Sequence, residues 1–213
     1  MPILYSLRQC PYAMRARLGL LHAKQTVMLR DIVMKHIPSE MLLASPKGTV
    51  PVLVFDDSSV IDESLDIMLW ALNKTDPNNL LLSDQPNALP AMLSLISRND
   101  IEFVAALDMY KAAARYHDTN EVLYRNKCEP FIEYIEQHLA KHDFLMGMNP
   151  SLADYALLPF IRKFSRIDRK WYLQAPYPNV QRWLTTHYEN PLYSKAMKKY
   201  PQWLDDHKDI LFG

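Results

Sequence analysis

The first 75 residues alternate short apolar runs with segments whose apolar positions repeat at helical spacing. Runs rich in β-branched side chains predict strands, and apolar residues at i, i+3 and i+4 predict helices. The predicted strands are Ile3–Ser6, Val27–Ile32, Val50–Phe55 and Ser59–Ile61, and the predicted helices are Pro11–His22, Pro38–Ala44 and Glu63–Asn73. The resulting order, βαβαββα, implies a mixed sheet with helices on its faces.

The pattern changes after a cluster of helix-breaking residues, Lys74–Asn79, which opens a polar connection reaching about Pro90. Beyond it, long amphipathic helices are predicted near residues 88–116, 120–141, 152–167, 178–188 and 190–199. Ser151 and Asp154 stand three residues apart at the start of the third, a spacing that predicts a capping box. We therefore assign residues 1–75 to an α/β domain, 76–90 to a linker and 91–213 to an all-α domain.

Composition excludes several classes of function. Hydrophobic residues make up 49% of the 213 residues and charged residues 23%, as in ordinary soluble globular proteins. Lys plus Arg and Asp plus Glu number 24 each, so no net charge attracts nucleic acid or an anionic membrane. The chain has only four glycines, which stand too far apart to form a glycine-rich phosphate-binding loop. His138 and His142 have ligand-like spacing but no third ligand nearby, so we expect no metal site.

Two features indicate a cytoplasmic protein. Cys10 and Cys128 are too few and too distant for a disulfide framework, which fits a reducing compartment. Arg8 interrupts the N-terminal apolar segment, and no apolar run has the length of a membrane-spanning helix. We expect the protein to bind neither nucleic acid nor a membrane.

Cys10 is the candidate catalytic residue. It directly precedes Pro11, and proline is favoured in the first turn of a helix. The unpaired N–H groups and the positive dipole end at such a site stabilise a thiolate, the reactive form of cysteine. Arg8 and Arg15 would add to this effect if they lie close to the sulfur. On position alone, a structural cysteine in the core is an equally good explanation.

The chain resembles the glutathione transferase superfamily over essentially its whole length, and three motifs carry the resemblance. Residues 10–17, CPYAMRAR, are similar to the active-site turn of its cysteine-type members, of the omega class or glutaredoxin-2-like. Thr49–Leu53 followed by Asp62-Glu63-Ser64 resembles the glutathione-binding core, and the spacing of Gly147, Ser151, Ala153 and Asp154 resembles the helical-domain capping signature. The resemblance implies a thioredoxin-like N-terminal domain followed by an all-α C-terminal domain.

The resemblance also implies residues that bind glutathione. Val50 precedes Pro51, which the family holds in the cis form, and would offer its backbone to the cysteinyl part of glutathione. Ser64 and the N–H groups of the third helix would bind the γ-glutamyl carboxylate, and Glu63 the adjacent ammonium group. Outside the family context, Ser64 and Glu63 would simply cap the helix and complement its dipole.

Further residues are assigned by the same resemblance. Lys35 matches the lysine that meets the glycyl carboxylate, although an isolated lysine is commonly just solvated, and Tyr12 is included in the glutathione site. Phe103, Leu107 and Tyr110 share one helical stripe and are candidates for a second-substrate pocket, although a core or a dimer face explains the stripe equally well. In the second half of the chain, Cys128 is predicted to be structural. The basic stretch Arg162–Lys170 could be an anion site, but a solvated helix end is the preferred explanation.

The sequence thus predicts an enzyme in which Cys10 forms a mixed disulfide with glutathione, as a thiol transferase or a glutathione-dependent reductase. Ala13 stands where a dithiol glutaredoxin has its second cysteine, so one-thiol chemistry is expected. Tyr5 and Ser6, near the position of the activating hydroxyl in other classes, are less favoured activators. Glutathione is the expected co-substrate, the acceptor is a small molecule or a protein thiol, and family habit suggests a homodimer. The alternative is a non-catalytic binding protein of the same fold, like stringent-starvation protein A.

Overall fold

The computed structural model describes all 213 residues, which form two compact units. Unit 1 comprises residues 1–78 and 190–213, and unit 2 comprises residues 79–189. The C-terminal segment therefore belongs with the α/β part of the chain, whereas the helical pattern of the sequence predicted an all-α domain extending to residue 213. The reason is a strand at the C-terminus, which pairs with the sheet of unit 1.

The sequence forms nearly all the predicted elements, with small differences at their ends. In chain order they are β1 (Ile3–Ser6), α1 (Pro11–His22), β2 (Val27–Asp31), α2 (Ser39–Ala44), β3 (Val52–Val54), β4 (Val60–Ile61), α3 (Ser64–Lys74), α4 (Ala88–Arg98), α5 (Val104–Tyr116), α6 (Glu121–Leu139), α7 (Leu152–Ser165), α8 (Arg169–Tyr172), α9 (Pro178–Glu189), α10 (Pro191–Ala196), α11 (Trp203–Asp206) and β5 (Ile210–Phe212). A π-helical segment, Asn99–Phe103, joins α4 to α5. None of these helices is both long and apolar enough to span a bilayer.

The five strands form one mixed sheet in the order β4-β3-β1-β2-β5. Strands β1 and β2 are parallel, with Ile3 opposite Met28, and the other pairings are antiparallel. The pattern of the sequence did not reveal β5, which has only three residues and lies outside the regular alternation of the first half. The mixed sheet with flanking helices confirms the predicted fold class of the N-terminal half.

Close packing between α1 and α3 organises unit 1. A Cβ atom added to Gly19 would lie 2.6 Å from Cγ and 2.9 Å from Cα of Met68, so only glycine allows the two helices this approach. Every residue of α1 after Tyr12 is buried, including Arg15 and Arg17. The helix is therefore held on several sides by the interior of the unit.

Arg17 connects three parts of unit 1. Its guanidinium donates to Ser6 Oγ at 2.7 Å, to the Asp31 carboxylate and to the backbone oxygen of Ala196 at 3.3 Å. Burial lowers the pKa of Arg17 and raises the pKa of Asp31, because both charges are removed from water. The mutual attraction and the hydrogen bonds offset part of that penalty, and these contacts join α1 to β1, β2 and α10.

In unit 2, the start of α7 confirms the predicted capping signature. The Asp154 carboxylate accepts hydrogen bonds from the Ser151 N–H at 2.8 Å and the Ser151 hydroxyl at 2.7 Å. It also accepts from the Leu145 N–H at 3.0 Å and from Trp183 Nε1 at 2.8 Å. Burial raises the pKa of Asp154, and these four donors act in the opposite direction. The side chain thereby joins a loop, α7 and α9 in one polar centre.

Candidate active site

Cys10 is the N-cap residue of α1, with Pro11 in the first turn. Its carbonyl accepts from the Met14 N–H at 2.9 Å, while its own N–H donates to Leu7 at 3.0 Å. The side chain is half-buried against a cluster that includes Tyr5 and Val50, whereas Cys128 is fully buried. Of the two cysteines, only Cys10 thus combines partial exposure with a helix N-terminus.

The backbone of Val50 lies directly beside this sulfur. The distance from Cys10 Sγ to the Val50 carbonyl oxygen is 3.8 Å, within reach of a weak S–H hydrogen bond. The Val50–Pro51 peptide bond is cis, as the family resemblance implied. The structure therefore brings together the candidate nucleophile and the backbone segment proposed to pair with glutathione.

A polar cluster surrounds the start of α3. Glu63 is the N-cap residue and Ser64, which is buried, is the first helical residue. Lys47 Nζ lies 2.7 Å from Glu63 Oε1 and 3.0 Å from Asp62 Oδ1. The Ser45 hydroxyl, at 2.7 Å, and then Lys47 lower the pKa of Asp62 by stabilising its charged form.

Lys47 and Asp62 were not among the site residues predicted from the sequence. Asp62 stands next to Glu63 in the motif Asp62-Glu63-Ser64, and this position could have identified it as a site residue. Lys47 comes from the turn before β3, and no local spacing relates it to α3. Its ion pairs mean that Glu63 already has a cationic partner in the structure.

Arg15 connects the first turns of α1 and α3. Its Nη1 atom lies 3.5 Å from Ser64 Oγ, and its guanidinium carbon lies 5.8 Å from the centre of the Tyr12 ring. The Arg15 side chain is buried, and that of Tyr12 is 36% exposed. Lys35 is exposed in the turn between Val33 and His36 and forms no ion pair.

The two hydroxyl groups considered as alternative activators are engaged in the interior of unit 1. The Tyr5 hydroxyl accepts from Arg30 Nη1 at 2.7 Å, and the Ser6 hydroxyl accepts from Arg17 Nε at 2.7 Å. Both side chains are buried, and burial raises the pKa of Tyr5. Neither hydroxyl is arranged as an open acceptor for a substrate thiol.

The residues predicted to line a second-substrate pocket lie in the packed core of unit 2. Phe103, Leu107 and Tyr110 are each 1% exposed or less. Phe103 stacks on Phe131 with ring centres 4.7 Å apart, and burial raises the pKa of Tyr110 to about 12. The helical stripe is thus explained by core packing, the alternative that the sequence left open, and the pocket assignment is corrected accordingly.

The remaining candidates in unit 2 have structural surroundings. Cys128 is fully buried, its Sγ donates to the Tyr124 carbonyl at 3.5 Å, and burial raises its pKa to about 12. A thiol in this state is unreactive near neutral pH. Neither His138 nor His142 belongs to a group of three or more side chains able to hold a metal ion.

Comparison with known proteins gives matches in both halves of the chain. Residues 4–79 match the family described as "Glutathione S-transferase, N-terminal domain", and residues 100–186 match "Glutathione S-transferase, C-terminal domain". The chain is similar to glutathione S-transferase omega-1 of Mus musculus, with 25% identity over 206 residues. That alignment covers 94% of this chain and 83% of the mouse protein.

Solved structures resemble the fold over nearly its full length. A glutathione transferase family member from Pseudomonas fluorescens Pf-5, with two glutathione molecules bound, has a TM-score of 0.79 at 17% identity. The similarity covers 92% of each chain. A glutathione S-transferase from Methylobacillus flagellatus KT, with glutathione bound, has a TM-score of 0.78 at 18% identity, covering 93% of this chain and 100% of that one.

Proposed function

This chain belongs to the glutathione S-transferase superfamily, and from that premise we propose that it is a glutathione-dependent thiol transferase with Cys10 as its nucleophile. The observation that carries the proposal is the position of Cys10, half-buried at the N-terminus of α1 and 3.8 Å from the Val50 carbonyl oxygen. A covalent nucleophile needs both an accessible sulfur and a neighbouring surface that holds its substrate.

Glutathione would bind along the residues gathered in unit 1. The backbone of Val50 would pair with the cysteinyl residue of glutathione, as an added strand segment does. The start of α3, with Ser64 and its free N–H groups, would accept the γ-glutamyl carboxylate, while Glu63 and Asp62 would face the ammonium group. Tyr12 and Lys35 complete the proposed set, the latter for the glycyl carboxylate.

The proposed reaction consists of two thiol–disulfide exchanges. The Cys10 thiolate attacks the glutathione sulfur of a glutathionylated thiol, forming a Cys10–glutathione disulfide. The original S–S bond breaks, and the acceptor leaves as a thiolate that takes a proton from water. The thiolate of a second, reduced glutathione then attacks the glutathione sulfur of that mixed disulfide, which releases oxidised glutathione and restores the Cys10 thiolate.

The absence of a second cysteine at position 13 supports this sequence of steps over a dithiol mechanism. Ala13 is buried one turn into α1 and offers no group able to displace glutathione from Cys10. The second glutathione must therefore come from solution. The same intermediate would serve glutathione-dependent reduction of a small acceptor.

Intact-protein mass spectrometry after incubation with oxidised glutathione tests the proposal. We expect one glutathione adduct on the wild type and on Cys128→Ala, no adduct on Cys10→Ala, and release by reduced glutathione. An adduct that survives in Cys10→Ala would refute the assignment of the nucleophile. Absence of both an adduct and retention on immobilised glutathione would instead favour a non-catalytic binding protein of the same fold.

The proposed chemistry also suggests where and in what form the protein works. Regeneration of Cys10 needs a pool of reduced glutathione, which the cytoplasm supplies, so we place the protein there. Both cysteines are free thiols in the structure. We propose a homodimer from family resemblance, and sedimentation velocity at micromolar concentration, which would give a dimer's coefficient, is its test.

A further inference from the structure

Lys47 already holds the two carboxylates that the proposed function assigns to the ammonium group of glutathione. Its Nζ atom donates to Glu63 Oε1 at 2.7 Å and to Asp62 Oδ1 at 3.0 Å. Both distances are within the range of good hydrogen bonds, and both pairs carry opposite charges. A primary ammonium group of the chain thus stands where a primary ammonium group of the ligand would bind.

A turn fixes the backbone on both sides of Lys47. The Gly48 N–H donates to the Ser45 carbonyl at 3.3 Å, and Gly48 has a φ of +63°, in the left-handed region that glycine adopts without strain. The Ser45 N–H donates to the Met41 carbonyl at 2.8 Å, which joins the turn to the end of α2. The main chain of Lys47 therefore stays near the start of α3 when its side chain moves.

The two carboxylates differ in how firmly the protein holds them. Asp62 also accepts a hydrogen bond from the hydroxyl of Ser45, a buried residue, at 2.7 Å. The side chain of Glu63 is 64% exposed. An exposed ion pair contributes little to stability, so the contact between Lys47 and Glu63 is the one that a ligand breaks at the lower cost.

Lys47 and a ligand ammonium group repel each other if both bind Glu63. Two ammonium groups on one carboxylate lie within about 5 Å of each other, where like charges disfavour each other. Hydrogen bonds to Glu63 and then Asp62 raise the pKa of Lys47, so the lysine is charged at neutral pH. Its side chain is 50% exposed and has a flexible four-carbon stem, so its ammonium group can leave Glu63 for water.

We infer that Lys47 is an internal competitor of glutathione, which holds Glu63 in the free protein and leaves it when the ammonium group of the γ-glutamyl residue binds. This role rests on the proposed function, because it concerns the same site. The competition lowers the affinity for γ-glutamyl ligands, reduced and oxidised glutathione alike. It thereby favours release of the oxidised glutathione that the proposed reaction forms.

Isothermal titration with two ligands measures what the ammonium group contributes to binding. The ligands are reduced glutathione and glutaryl-cysteinylglycine, which lacks only that group, and the readout is the dissociation constant of the second divided by that of the first. We expect Lys47→Met to raise this ratio about two- to fivefold over the wild type, the range of an exposed ion pair. Lys47→Arg, which keeps the charge, should leave the ratio near the wild-type value.

Two further variants separate this effect from a general change in charge. Lys74→Met removes an exposed lysine at the opposite end of α3 and should keep the wild-type ratio. Glu63→Gln should lower the ratio, and Lys47→Met added to it should raise the ratio less than it does alone. An unchanged or lower ratio in Lys47→Met would overturn the role of Lys47 and leave the proposed function in place. No binding of glutathione by the wild type or any variant would overturn both.

Discussion

His22 should make the stability of this protein depend on pH in a defined window. The residue lies in the last turn of α1 and is 4% exposed. Burial lowers its pKa from 6.5 to about 4, because the imidazolium loses its hydration, and the Asp76 carboxylate only partly opposes this. In the unfolded chain the same side chain is solvated and takes up a proton near pH 6.5.

The sign and the size of the effect follow from these two values. Between pH 6.5 and pH 4 the unfolded chain binds a proton that the folded chain does not bind, so acidification favours unfolding. The free energy of unfolding contributed by His22 is therefore complete above pH 6.5 and decreases as the pH falls. Linkage predicts that the free energy of unfolding decreases by about 2 kcal/mol from pH 8 to pH 5. The total decrease, reached below pH 4, is about 3 kcal/mol.

Urea unfolding at pH 8, 7, 6 and 5 measures this contribution when the wild type is compared with His22→Leu. The leucine fills the space with an apolar group that does not titrate. Other titrating groups, including the buried Asp31 and Asp154, are common to both proteins and cancel in the difference. Far-UV circular dichroism and tryptophan fluorescence should give coincident transitions, which the comparison of free energies requires.

The difference in unfolding free energy between wild type and variant should change by about 2 kcal/mol from pH 8 to pH 5. His142→Gln, which removes an exposed histidine, should follow the wild-type curve. Parallel curves for wild type and His22→Leu would show that the folded protein protonates His22 as readily as the unfolded chain does. Burial would then not lower the pKa of His22.

Three other substitutions test the packing described above, each measured by urea unfolding at pH 7. Gly19→Ala should lower the free energy of unfolding by about 1–3 kcal/mol, because the new methyl group would overlap Met68. Asp154→Asn should lower it by about 1–3 kcal/mol, since an amide cannot accept from all four donors around it. Asp31→Asn should lower it by about 3–5 kcal/mol by leaving the Arg17 charge buried without a counter-ion, and Arg17→Met in the same chain should restore most of that loss. If the variant carrying both Asp31→Asn and Arg17→Met lost as much unfolding free energy as Asp31→Asn alone, the unpaired Arg17 charge would not be the cause of the loss.

Local patterns were sufficient wherever a feature depends on neighbouring residues. Alternating and helical periodicities predicted β1 and α1 with their observed ends, and the spacing of Ser151 and Asp154 predicted the capping box. The Cys10-Pro11 pair likewise placed the cysteine at a helix N-terminus. In each case the physical cause lies within a few residues of chain, which is the range that a sequence pattern can describe.

Features that depend on distant contacts could not be predicted in this way. The three residues of β5 form a strand only because β2 offers them an edge about 180 positions earlier in the chain. Lys47 meets Asp62 and Glu63 through the folding of a loop, with no regular spacing between them. The apolar stripe of Phe103 and Tyr110 indicated a buried face but not what covers it, and the answer was the aromatic core of unit 2.

The position of Cys10 depends on the packing of α1 against α3, and this dependence can be measured. Cys10 begins α1, Ser64 begins α3, and both the contact at Gly19 and the bridge from Arg15 to Ser64 set the distance between the two helices. Gly19→Ala should therefore slow the glutathionylation of Cys10 in the folded protein, in addition to lowering stability. Asp154→Asn, which disturbs only unit 2, should lower stability and leave that rate unchanged at temperatures where both variants are fully folded. If the two variants slowed the reaction equally, the rate would reflect overall stability and not the geometry of α1 and α3.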